Sequence, residues 1–84
     1  MDIRRTVGDN IRGYRHKKNY TQEKLAVLSG LHINYISSVE RGERTLGIVN
    51  LVKIAKALRI PSEYLLIPRS HESIGPAVNA AKKV

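Results

Sequence analysis

The 84-residue sequence contains no cysteine, no tryptophan and no phenylalanine. Without cysteine there is neither a disulfide nor a thiolate metal ligand to reinforce a small core. A reducing compartment is compatible with that composition. The four aromatic residues are all tyrosine, too few for a sheet that stacks single-stranded bases. No apolar run has the length of a membrane span or a signal-peptide core, so neither insertion nor export is expected, and a cytoplasmic location is. Acidic residues are scarce: 7 Asp and Glu stand against 15 Lys and Arg, a net charge of +8 with a pI near 10.2. An excess of this size costs self-repulsion and points to a polyanionic partner, nucleic acid before an anionic membrane surface. A chain of this length forms one domain and buries only about 60–65% of the surface its unfolded form exposes.

Catalysis has no visible apparatus. His16, His32 and His71 lack metal-ligand spacing. There is no nucleophile elbow, phosphate-cradling glycine loop or pair of carboxylates. No enzyme activity, metal or cofactor is therefore expected. About 65 ordered residues also leave little room for a small-molecule pocket of ordinary size.

The pattern that is present is helical. Ile3, Val7, Ile11 and Tyr14 share one face of a first helix, capped by Asp2 or by Thr6 with Asp9 in a capping-box arrangement. Gly13 either marks a close backbone approach or is simply tolerated. Asn19 can take the left-handed conformation that stops the helix. Thr21 caps a second helix, with Leu25, Ala26, Leu28 and Leu31 as its apolar contacts and Gly30 at its end. A third runs from about Ile33 to Glu40, with Ile36 and Val39 facing in and Gly42 beyond it. IVNLVKIAKAL is the fourth, with Ile48, Leu51, Ile54, Ala55 and Leu58 on one face. Pro61 stops it and opens a fifth short helix, SEYLLI. The expected fold is all-α: five helices forming a lambda-repressor-like domain over residues 1–67. The remainder, 68–84, reads as a polar tail, mobile or ordered on dimerisation.

Two short helices joined by a glycine-containing turn make a helix-turn-helix. The second of them has only Ile36 and Val39 to hold it. Its other face carries His32, Ile33, Asn34 and Ser38, and a helix presenting such residues fits the major groove of B-DNA. The helix that starts at Thr21 would lie across the phosphate backbone with its first amides and Gln22 toward an anion. Ile33 could pack on a thymine methyl or be partly buried. Asn34 could read adenine with both ends of its amide. Ser37 reads as a spacer. Lys17, Lys18 and Arg12 either touch phosphate or stand solvated, and Lys17 is placed with Thr21 and Gln22 in the phosphate set.

TQEKLA, the SG turn, YISSVERG and LVKIAKAL together resemble the Cro/repressor, or XRE, family of helix-turn-helix proteins. The resemblance covers roughly Val7 to Leu66. YIS-x-x-ERG in a short cysteine-free chain is also similar to the controller proteins of restriction–modification systems. The resemblance implies that Gln22 bonds phosphate and braces the recognition helix. It implies that Arg15 pairs with Glu40 between the first and third helices. Ile33, Asn34 and Ser38 match base-reading positions. Tyr35, Arg41 and Arg44 match backbone-contacting ones. His32 departs from the family, which often has Ser or Asp as the cap there, and histidine caps poorly. The apolar excess at Tyr64, Leu66 and Ile67 is assigned to a dimer interface. The expected function is a transcription regulator binding double-stranded DNA as a homodimer on a pseudo-palindrome. The alternative is a protein-binding adaptor, antitoxin-like, on the same scaffold.

Overall fold

The computed structural model describes residues 2–68. Four α-helices are followed by a 3-10 helix: α1 Ile3–Lys17, α2 Gln22–Ser29, α3 Ile33–Glu40, α4 Ile48–Leu58, then Ser62–Leu66. The fifth helix expected from the sequence is thus a single tight 3-10 segment. The proposed tail, beyond Pro68, lies outside the described residues.

Each boundary has a local cause. Asp2 is the N-cap of α1: its Oδ1 accepts from the Arg4 backbone N–H at 3.0 Å, and that bond holds the carboxyl below its ordinary range. Thr6 and Asp9 therefore lie inside the helix and do not form a capping box. Asn19 does turn left-handed, with φ 59°. Thr21 Oγ1 accepts from Lys24 N–H at 3.0 Å and starts α2, which Gly30 ends at φ 73°. α4 ends at Leu58, short of Pro61, because Arg59 turns into the left-handed region at φ 61°.

The core draws on every element. Ile11 of α1, Leu25 of α2, Ile36 of α3, Ile54 and Leu58 of α4, and Leu65 of the 3-10 helix are fully buried. Each contributes about 1.5–3 kcal/mol relative to exposure. Helical periodicity overstated the inward set at the element ends: Ile3, Leu28 and Ile48 are exposed. A close backbone approach occurs at Gly8, where a Cβ would come within 2.7 Å of the Glu40 carbonyl oxygen. Any side chain there would push α1 away from the end of α3.

The 3-10 helix is tied down by one buried amide. Asn10 Nδ2 donates to the carbonyls of Leu65 at 2.9 Å and Ile67 at 2.8 Å, with Tyr64 O at 3.4 Å. Among the described residues, its Oδ1 is buried without a partner. A short apolar segment with few backbone bonds of its own is thereby fixed on α1.

Candidate nucleic-acid interface

The α2–turn–α3 unit leaves one side of α3 outside the core. Ile36 and Val39 face inward and are almost wholly buried. His32 and Asn34 are exposed, and Ser37 and Ser38 are half-buried. His32 caps the helix after all: its Nδ1 accepts from Asn34 N–H at 3.0 Å. An acceptor at Nδ1 requires the neutral ring with its proton on Nε2, so the remaining ring nitrogen is a donor on the open side. Ile33 is half-buried and packs against the core.

Below this face sits Glu40, whose carboxylate is fully buried. Arg15 donates from Nε to Oε2 at 2.7 Å and from Nη2 to Oε1 at 3.0 Å. Gln22 Nε2 donates to the same Oε1 at 3.0 Å. Arg15 Nη1 also donates to the Tyr20 carbonyl at 2.8 Å. One carboxylate thus joins α1, the first residue of α2 and the end of α3. This network fixes the angle at which α3 is presented. Arg12, three residues before Arg15, brings a second guanidinium to 3.6 Å from Oε1.

A second cluster surrounds Tyr35. Its hydroxyl accepts from Asn50 Nδ2 of α4 at 3.2 Å. The Arg44 guanidinium stacks over its ring at 5.5 Å. Arg44 Nε donates to Ser38 Oγ at 3.2 Å, while Ser38 donates to the Tyr35 carbonyl at 3.0 Å. Ser38 is therefore engaged on both sides, and Arg44 is held against α3 by two of its residues. Arg41 donates to Ser37 Oγ and pairs with Glu43 at 3.0 Å. That bond raises the Arg41 pKa and lowers the Glu43 carboxyl.

Lys17 lies 5.8 Å from the centre of the Tyr14 ring. Thr21 is exposed, its hydroxyl used as the α2 cap. Of the residues assigned to a dimer interface, Leu66 and Ile67 are 44% and 42% exposed, whereas Tyr64 is half-buried with its ring 6.4 Å from that of Tyr14. Leu66 lines an apolar groove of about 180 Å³ with Ile3, Val7, Leu46, Ile48 and Leu51. Asn10, Asn50 and Leu46 of this groove were not evident in the sequence. Asn10 and Asn50 look like ordinary polar helix residues in sequence, since their partners lie 15 or more positions away. Among the described residues no His, Asp and Glu side chains gather as a metal site, and no helix is long and apolar enough to cross a membrane.

The family model described as Helix-turn-helix matches residues 11–65. The chain belongs to the XRE-type helix-turn-helix family of transcription regulators. It is 47% identical over 66 residues to control protein C.SmaI of Serratia marcescens, covering 79% of each chain. It is 44% identical over 66 residues to control protein C.BamHI of Bacillus amyloliquefaciens, covering 77% of this chain and 82% of that one. The crystal structure of the restriction–modification controller protein C.AhdI from Aeromonas hydrophila is similar, with a TM-score of 0.72, 42% identity, and coverage of 74% of this chain and 94% of that one. These relatives are regulators, not enzymes.

Proposed function

We propose that this chain is a cytoplasmic, sequence-specific regulator that binds double-stranded DNA as a homodimer on a pseudo-palindromic operator. Its similarity to control proteins supports a controller role of the same kind. The observation that carries the reading is the free face of α3. A helix braced from behind by Glu40 presents Asn34 and the His32 ring edge outward, with arginines on its flanks.

In this reading α3 enters the major groove. Asn34 bonds an adenine edge, and His32 Nε2 donates to a base or phosphate acceptor. Ile33, half-buried, leaves only part of its side chain for a thymine methyl. We reassign Arg44 from phosphate to base reading. Ser38 and Tyr35 hold it on α3, so it travels with the helix into the groove, where a guanidinium suits guanine O6 and N7. Ser38 acts as its support. Thr21, Gln22, Lys17, Tyr35 and Arg41 line the backbone contacts. Residues 1–67 form the binding domain.

Surface chemistry supports dimerisation. Ile3, Ile48 and Leu66 expose apolar side chains around one groove, and Ile67 follows Leu66 in the chain; apolar side chains grouped in this way suit a protein–protein contact. Two copies joined through this face would present two recognition helices, and C2 symmetry dictates a pseudo-palindrome. The experiment is duplex binding as a function of salt. With about 6–10 phosphates neutralised, affinity should fall roughly 10³–10⁵-fold between about 50 and 200 mM salt. A flat response contradicts the nucleic-acid reading.

A further inference from the structure

We infer that Arg12 is an additional contact to a DNA backbone phosphate, beside the one reached by Gln22. The inference rests on the DNA-binding reading above and adds a residue to it.

Charge accounting around Glu40 is the starting point. A carboxylate carries one negative charge, and Arg15 already matches it with two hydrogen bonds, at 2.7 Å and 3.0 Å. Oε1 accepts from both Arg15 Nη2 and Gln22 Nε2, which occupies the two lone pairs of that oxygen. Arg12 Nε stands 3.6 Å from the same atom, beyond hydrogen-bonding range. The second guanidinium is therefore drawn to the site without being neutralised by it. The group as a whole carries one surplus positive charge.

The surplus is placed toward solvent. The Glu40 side chain is 0% exposed and that of Arg15 9%, while that of Arg12 is 49% exposed. Among the described residues Arg12 makes no other ion pair and no hydrogen bond. Its five donors are thus free, on a side chain whose position is biased by the Glu40 field. Gln22 is at the same oxygen, so Arg12 lies next to the first residue of α2, the end of the unit that meets the DNA backbone in the proposed pose. A guanidinium is weakly hydrated and matches two phosphate oxygens at once. A phosphate would satisfy those donors and return the group to neutrality. The same oxygen then links the contact to the recognition helix, since Glu40 is the last residue of α3.

The test uses the full chain with Arg12→Gln and Arg12→Lys. Binding is measured on an operator selected from random duplexes and on a random duplex, between about 50 and 200 mM salt, with unfolding midpoints alongside. Arg12→Gln should lose roughly tenfold in affinity near 0.1 M salt on both DNAs and reduce the salt slope by about one. Arg12→Lys should restore the slope, and the midpoints should match that of the unsubstituted chain. An unchanged slope and affinity for Arg12→Gln overturns the inference. So does a loss accompanied by an equal fall in the midpoint, which would make Arg12 a structural partner of Glu40. If the unsubstituted chain binds no duplex at all, both this inference and the reading beneath it fail.

Discussion

Arg15 and Glu40 form a two-bond ion pair across the contact between α1 and α3, with the carboxylate wholly buried. Glu40→Ala strands a guanidinium and removes the acceptor for Gln22. The expected loss is about 3–5 kcal/mol of stability, a large share of the total for a domain this small. Replacing both partners, as Arg15→Met with Glu40→Leu, should recover much of it, because no lone charge remains. Chemical denaturation of both variants beside the unsubstituted chain checks this. A Glu40→Ala midpoint equal to the parent's would contradict the buried pair.

His32 supplies the N-cap of α3 through Nδ1. His32→Ala should destabilise the chain by about 0.5 kcal/mol, the low end for loss of a cap, and His32→Asn, a stronger cap, should match or exceed the parent's stability. Urea unfolding of both distinguishes a cap from a solvated ring. Equal stability for all three chains would mean the imidazole does no capping.

Asn10 holds the 3-10 helix by donating to backbone carbonyls. Asn10→Ala should cost about 1–3 kcal/mol through carbonyls left without donors. Asn10→Asp should cost more, since it sets a carboxylate against those same oxygens. Both should weaken self-association beyond the loss in stability, because Leu66 and Ile67 lose their fixed positions. Sedimentation at several concentrations, read with unfolding curves, measures the two effects. A dimer unaffected by Asn10→Ala would exclude this segment from the interface.

The helix-turn-helix was legible because its signals are local. Thr21 and Gly30 bracket α2 within ten positions, and Ile36 with Val39 shows a helix with one buried side. The Arg15–Glu40 pair came from family resemblance, since spacing alone cannot join residues 25 positions apart. What stayed hidden depends on tertiary contact. Gly8 meets the end of α3, a contact that exists only because of how the two helices cross. Ile48 satisfies the helical period yet is 79% exposed, at the rim of the groove that Leu66 lines. Ser38 is open on a helical wheel, but Arg44 arrives from the following loop and occupies it.

Asn34 and Arg44 are expected to read bases, and Arg41 to position the backbone. Asn34→Ala and Arg44→Ala should each cost about 1–3 kcal/mol on the operator and relax the choice at one base position. Arg41→Ala should weaken all sequences alike. Titrations on the operator, its single-base variants and random DNA separate these roles. Uniform weakening by Arg44→Ala would return it to the phosphate set.

The most direct test of the account is selection of bound duplexes from a random library, with the stoichiometry of the bound species measured at the same protein concentration. The account predicts enrichment of a pseudo-palindrome bound by two copies, with half-site centres about one helical turn, roughly 34–36 Å, apart. Recovery of sequences no different from the starting library, or of a single asymmetric half-site bound by one copy, would contradict it.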